Sequence, residues 1–183
     1  MVDHMNPIIF LDIDGVLLPI GEAGVETDNA DALGEIVAQR FPKVYRADIR
    51  AHWLPDLVPH LNKLWTAFQP YWASWWQEDA HQVGDLYGIP PTGFCRFSDL
   101  YVEVKHLPMY DWKLPSIDKA ARGRPFVWID DEISDESKEW AYARNYSIPT
   151  KFVQTDPYEG LTVEQLDEIW EWGCTITSGV LGS

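Results

Sequence analysis

Residues 7–16, PIIFLDIDGV, decide the fold of this 183-residue chain. An apolar run rich in strand formers reaches Asp12 without a polar interruption, as in a strand buried on both faces of a parallel sheet. Side chains alternate along an extended backbone, so we expect Asp12 and Asp14 to point the same way and Ile13 to enter the core. Gly15 lets the chain turn away sharply. The stretch predicts a central strand that ends in two carboxylates.

The negative charges of Asp12 and Asp14 must be compensated. Two carboxylates held side by side repel each other unless a cation or a shared proton intervenes. The pattern therefore indicates a bound metal, a perturbed acid, or both, although Asp-Gly also marks ordinary turns. A calcium-binding EF-hand loop starting at Asp12 would need Gly at its sixth position and Glu at its twelfth. Leu17 and Ala23 stand there instead, so the EF-hand is excluded.

A second acidic feature follows an apolar run late in the chain. Asp130 and Asp131 lie in the segment WIDDE, residues 128–132. They could belong to a solvated loop before a helix capped by Ser134 or Asp135. Paired with the first acids, they could instead complete a magnesium site, because magnesium prefers hard oxygen ligands.

The rest of the chain alternates predicted strands and helices. Apolar residues at three- and four-residue steps predict a helix at 54–65. The further predicted elements are a strand at 71–73, a helix at 77–87, strands at 101–104 and 125–129 on either side of a helix at 116–121, a helix at 135–144, a strand at 150–153 and a helix at 162–172. Residues 19–53 are predicted to hold a flap or small insert with a helix at 31–40.

This alternation predicts one α/β domain over residues 1–183, with a Rossmann-like parallel sheet and helices on both faces. Ligands of such sheets bind at the carboxyl ends of the strands. The polar residues predicted at these ends are Asp12, Ser74 and the pair Asp130 and Asp131.

Composition narrows the class of protein. A hydrophobic share of 46% with 14% aromatic residues indicates a folded globule, in which most of the ten tryptophans are expected to fill the core. A net charge of −15 disfavours nucleic acid and anionic lipid at long range. Cys95 and Cys174 lack the spacing of a zinc site or a disulfide scaffold. Without a signal-peptide or membrane-spanning run, the chain is expected to be soluble and cytoplasmic, with no membrane partner.

Four motifs, in order, resemble those of the haloacid dehalogenase-like (HAD) superfamily. Residues 12–16, DIDGV, resemble the first motif, and Ser74 resembles the Ser or Thr that binds phosphate after the second strand. Lys113 stands where the family places a lysine just before a helix. Asp130 and Asp131 resemble the paired-Asp form of the fourth motif. An HAD-like fold follows as an expectation.

A narrower resemblance is to small bacterial and phage HAD proteins, some of which are grouped with RNA-repair modules. It is carried by Ala-Ser-x-Trp, Trp-Lys-Leu-Pro and Trp-Ile-Asp-Asp-Glu, followed by DP at 156–157 and GLT at 160–162.

The resemblance implies a nucleophile and a metal. Asp12 would attack phosphorus and form an aspartyl-phosphate. Mg²⁺ would be held by Asp12, the backbone carbonyl of Asp14, and Asp131, and would neutralise charge on the phosphoryl oxygens. Asp130 would support the metal through water or outer contacts.

It also implies roles for three further groups. Lys113 would pair with the nucleophile or the transferring group, with Lys119 as a rival for this role. The Ser74 hydroxyl would donate a hydrogen bond to the phosphate. Asp14 would act as general acid and then base, for which its pKa should be raised. Dehalogenases generally lack this second aspartate, which favours phosphoryl transfer.

The resulting hypothesis is a magnesium-dependent phosphomonoester hydrolase with a minimal cap domain or none, acting on a phosphorylated small molecule or a polynucleotide end. The alternatives are a polynucleotide end-processing phosphatase and a binding module that has lost turnover. Trp72, Trp75 and Trp76 could stack on bases near the site, but core packing is the favoured interpretation. The oligomeric state is left open.

Overall fold

The structure is a computed structural model of the chain, and it describes residues 6–21, 50–51, 54–97 and 113–177. The predicted helix at 31–40 and the predicted strand at 101–104 lie outside these residues, as does most of the insert at 19–53. The single domain and the reduced cap therefore stay predictions.

A parallel sheet forms the centre of the fold. The strands, in chain order, are β1 (Ile8–Leu11), β2 (Ile20–Gly21), β3 (Arg50–Ala51), β4 (Gln69–Trp72), β5 (Phe126–Asp130) and β6 (Thr150–Gln154). The sheet has the order β4-β1-β5-β6, and all its neighbouring strands are parallel. β1 is buried along its whole length between β4 and β5. The predicted central strand is confirmed.

Helices cover both faces of this sheet. They are α1 (Leu57–Leu64), α2 (Ala80–Tyr87), α3 (Leu114–Ala121), α4 (Asp135–Asn145) and α5 (Val163–Thr177), with a short 3₁₀ helix at Gln77–Asp79. Alternate strand residues face opposite ways, so Ile9 and Leu11 pack with residues of α1, α2 and α5. Ile8 and Phe10 pack with residues of α3 and α4 instead. The arrangement is Rossmann-like, as predicted.

Several predicted boundaries were wrong. The strand predicted at 71–73 runs earlier, over Gln69–Trp72. The helix predicted at 77–87 starts as the 3₁₀ turn, where Gln77 has a positive φ of 45°. The last helix continues to Thr177, past Gly173. A β-carbon at Gly173 would overlap the ring of Phe68, so this glycine permits close packing and does not end the helix.

Two short strands that follow β1 in the chain form a separate antiparallel ribbon. β2 pairs with β3, with Ile20 opposite Ala51 and Gly21 opposite Arg50. The two ends of the segment predicted as a flap or insert are therefore hydrogen-bonded to each other.

Among the described residues, no helix combines the length and apolar character that crossing a membrane requires.

Candidate active site

The carboxyl ends of β1 and β5 bring three aspartates together. Asp12 follows β1, Asp130 ends β5, and Asp131 follows it. One carboxylate oxygen from each residue lies within 4.8 Å of the others. Ligands of an octahedral magnesium ion lie about 2.0–2.1 Å from the metal. Three oxygens this close can therefore surround one ion with small adjustments.

Lys113 supplies the positive charge of this cluster. Its ammonium group pairs with Asp12 Oδ2 and, at 2.6 Å, with Asp130 Oδ2. The lysine is 6% exposed and directly precedes α3. Lys119, the rival, lies exposed in the last turn of α3. The geometry therefore supports Lys113 for the lysine role.

Asp130 is a buried ion-pair partner of this lysine. It is 0% exposed, and its Oδ2 also accepts a hydrogen bond from Trp128 Nε1 at 2.9 Å. Its Oδ1 accepts from the Glu132 backbone N–H at 3.1 Å. Because both oxygens have protein donors, Asp130 is well placed to orient Lys113, which fits a supporting role better than a direct hold on an ion.

Asp131 packs directly against Gly15, where the missing side chain leaves room for the Asp131 carboxylate. A β-carbon at Gly15 would lie 2.9 Å from the Asp131 β-carbon and closer still to its carboxylate. Gly15 also has a φ of +69°, which L side chains rarely adopt. Glycine is thus needed twice, once for the turn and once to admit the carboxylate.

Two side chains at the carboxyl end of β6 hold the backbone of Gly15 and Asp131 in place. Thr155 donates from Oγ1 to the Gly15 carbonyl at 2.8 Å, and Gln154 donates from Nε2 to the Asp131 carbonyl at 3.0 Å. Both come from the carboxyl end of β6. They were missed in the sequence because that end was not counted among the polar strand ends, although the rule that found Asp12 applies equally there.

Asp14 lies at the rim, where Trp76 orients it. Trp76 Nε1 donates to Asp14 Oδ2 at 2.9 Å. Although Asp14 is exposed by its surface area, protein atoms crowd its carboxyl group. This desolvation, followed by repulsion from Asp12, raises the pKa of Asp14 to about 6. The predicted direction is confirmed, and the group can both hold and release a proton near neutral pH.

Ser74 lies buried beside the end of β1. Leu11 pairs with Trp72 in the sheet, and Ala73 donates its N–H to the Leu11 carbonyl, so Ser74 comes next at the same edge. The three nearby tryptophans differ. Trp72 and Trp76 are 3% and 7% exposed, as expected for core packing, but Trp75 is 50% exposed. The expectation was wrong for Trp75.

The electrostatics of the cluster suit a divalent cation. Burial, then repulsion by Asp12, raises the pKa of Asp131 to about 6. The same two causes raise the pKa of Asp130, which Lys113 opposes. The pKa of Asp14 is raised chiefly by desolvation, and the carboxylates of Asp12 and Asp131 raise it further. Among the described residues, one ammonium group faces four carboxyl groups, so a hard cation at the carboxylate oxygens would relieve the remaining repulsion.

These shifts predict how stability depends on pH. Asp130 and Asp131 have folded-state pKa values above the ordinary value of 3.8. Their contribution to stability is therefore present at low pH and lost as pH rises through the folded values. With a chelator present, we expect the free energy of unfolding in urea to be at least about 1 kcal/mol higher at pH 5 than at pH 8.

The control separates the site from the general negative charge of the chain. Asp131→Asn keeps the shape but removes one titrating group, so it should reduce the difference between pH 5 and pH 8. Equal unfolding free energies of the unaltered protein at the two pH values would contradict the prediction.

In comparisons with known proteins, no protein-family model, no curated protein and no solved structure matches the chain.

Proposed function

We propose that the chain is a magnesium-dependent phosphomonoester hydrolase of the HAD type that acts through an aspartyl-phosphate on Asp12. The observation that supports this most is the cluster at the ends of β1 and β5. A nearly buried carboxylate, Asp12, pairs with Lys113 and lies within 4.8 Å of two further carboxylates. Such a cluster can hold a nucleophile, a cation and a phosphoryl group at one point.

Asp12 is the nucleophile in this proposal. One of its oxygens bonds to phosphorus while the bond from phosphorus to the ester oxygen breaks, and water later hydrolyses the acyl phosphate. The Ile13 backbone N–H donates to Asp12 Oδ1 at 2.7 Å, and Lys113 pairs with Oδ2. These contacts hold the carboxylate in one orientation, which favours in-line attack.

Asp14 transfers the protons. Its acid form protonates the leaving ester oxygen, and its base form then takes a proton from the attacking water. The pKa of about 6 allows both forms near neutral pH, and the Trp76 indole fixes the direction of the carboxyl group. A leaving halide would need no such proton, so this aspartate favours phosphatase over dehalogenase activity.

Three groups would hold Mg²⁺: the Asp12 and Asp131 carboxylates and the backbone carbonyl of Asp14. When bound, the ion neutralises negative charge on the phosphoryl oxygens. Asp130 would support the metal site indirectly, by orienting Lys113 and through a water molecule. Lys113 and the Ser74 hydroxyl would contact the phosphate itself, since Lys113 pairs with Asp12 and Ser74 follows β4 beside the end of β1.

The test is hydrolysis of an aryl phosphate with and without magnesium. We expect turnover that requires Mg²⁺ and stops on chelation. Magnesium binding without turnover of any phosphate ester would instead favour the binding module. A cytoplasmic location is part of the same proposal.

Asp131→Ala should raise the magnesium concentration needed for half-maximal activity by at least about tenfold, because one charged ligand is lost. The measurement is aryl phosphate hydrolysis as a function of magnesium concentration. Asp135→Ala is the matched control, since this aspartate is 93% exposed on α4. An unchanged magnesium requirement in Asp131→Ala would refute the ligand assignment.

A further inference from the structure

The turn that follows β6 binds the turn at residues 15–17 through two consecutive backbone carbonyls. Thr155 Oγ1 donates to the Gly15 carbonyl at 2.8 Å. The Leu161 N–H donates to the Val16 carbonyl, also at 2.8 Å. The first of these bonds joins residues 140 positions apart in the chain. The conformation at Gly15 therefore depends on the end of β6 as well as on its own sequence.

This second turn is itself held by hydrogen bonds. The Asp156 carbonyl accepts from the Gly160 N–H at 2.8 Å, and Asp156 Oδ1 accepts from the Tyr158 N–H at 2.8 Å. A β-carbon at Gly160 would lie 2.6 Å from the Val16 carbonyl oxygen, so the two turns are in close contact. A turn held in this way can act as a fixed support for the first one.

Thr155, which is 4% exposed, is bound to both halves of the proposed metal site. Its backbone N–H donates to the Asp130 carbonyl at 3.2 Å, and its hydroxyl donates to the Gly15 carbonyl. Asp131 follows Asp130 directly in the chain. The Asp14 carbonyl belongs to the peptide group that joins Asp14 to Gly15. Thr155 therefore links the two segments that carry the proposed ligands.

The separation of these two segments matters for the choice of cation. Mg²⁺ and Ca²⁺ carry the same charge, so repulsion among the carboxylates favours the binding of either ion. Mg²⁺ requires a nearly octahedral arrangement at about 2.0–2.1 Å, whereas Ca²⁺ accepts oxygens at about 2.3–2.6 Å in flexible arrangements. A small displacement of one ligand should therefore weaken the binding of Mg²⁺ more than the binding of Ca²⁺.

We propose that Thr155 favours Mg²⁺ over Ca²⁺ at this site by holding the Asp14 carbonyl at a fixed distance from the Asp131 carboxylate. The inference rests on the proposed phosphatase function, which supplies the metal site. Thr155 is a positioning residue, because it binds the backbone next to two of the proposed ligands and is not a ligand itself. Gln154 supports the same arrangement, since its Nε2 donates to the Asp131 carbonyl at 3.0 Å.

The test measures the dissociation constant of each metal ion without any substrate. A cation that binds only the folded chain raises the free energy of unfolding as its concentration increases, so urea unfolding in Mg²⁺ or Ca²⁺ gives this constant. Thr155→Val keeps the shape of the side chain but removes the hydroxyl. It should raise the dissociation constant of Mg²⁺ by at least about tenfold and that of Ca²⁺ by less than about threefold. Thr155→Ser keeps the hydroxyl and should retain most of the magnesium affinity.

Thr150→Val is the matched control. Thr150 is also buried, and its hydroxyl donates to the Ile148 carbonyl at the opposite end of β6. Its substitution should change neither dissociation constant by more than about threefold. Gln154→Met is a second variant, at an exposed position where the fold should persist, and it should weaken Mg²⁺ binding more than Ca²⁺ binding.

The outcomes separate this inference from the proposed function. An unchanged magnesium affinity in Thr155→Val, or equal losses for the two ions, would overturn the role of Thr155 and leave the phosphatase proposal standing. If Thr155→Val does not fold, Gln154→Met decides by the same criterion. An unaltered protein that neither ion stabilises would contradict the proposed metal site, and the role of Thr155 with it.

Discussion

Asp12→Asn should lower kcat for an aryl phosphate by at least about a thousandfold, because a carboxamide cannot form the acyl phosphate. The substitution is nearly isosteric, and the asparagine oxygen can still accept from the Ile13 N–H, so the fold should persist. The measurement is single-turnover hydrolysis with an acid quench. The quench should retain label from a radioactive phosphate ester on the unaltered protein but not on the variant.

The matched control is Asp135→Asn, the same chemical change at an exposed position on α4. It should behave like the unaltered protein in both rate and trapped label. Residual activity of Asp12→Asn within about tenfold of the original would rule out Asp12 as the nucleophile.

Lys113→Met should destabilise the metal-free protein by about 3–5 kcal/mol at pH 8, the cost of leaving a buried charge without its partner. The ammonium group serves both Asp12 and Asp130, which are 7% and 0% exposed. The loss should be smaller at pH 5, because the raised pKa of Asp130 then allows it to bind a proton. Urea unfolding with a chelator present gives both values.

Lys119→Met is the control for this prediction, since it removes a lysine from the same helix at an exposed position. Its effect should stay within about 0.5 kcal/mol at both pH values. Equal effects of the two substitutions would show that Lys113 does not compensate the buried carboxylates.

Much of the sheet could be predicted because each strand carries its own apolar signal. Residues 7–11 and 125–129 predicted β1 and β5, and the polar residues after them turned out to be neighbours because parallel strands share one edge. The order of the strands also brought Ser74 to this edge. These results depend on local patterns and a general rule of topology.

The hydrogen bonds of the two indole groups were not predicted, and for Trp76 the reason is that the bond depends on tertiary packing. Trp76 binds Asp14 across 62 positions of the chain, which no local pattern encodes. The bond from Trp128 to Asp130 could have been expected, since residues two apart on a strand face the same way. The exposure of Trp75 likewise depends on where Phe97 lies, and a run of similar aromatic residues does not reveal which one stays at the surface.

The contact between Asp12 and Lys113 joins residues 101 positions apart in the chain. During synthesis on the ribosome, the proposed nucleophile therefore emerges long before the lysine that balances its charge. If the proposed function holds, a nascent chain that has exposed β1 alone has neither a partner for Asp12 nor a place for an ion, and it would carry out no phosphoryl transfer. Under the same proposal, reactivity would arise only when the second half of the chain has joined the sheet, and an ion bound to the finished fold would then also protect it from unfolding.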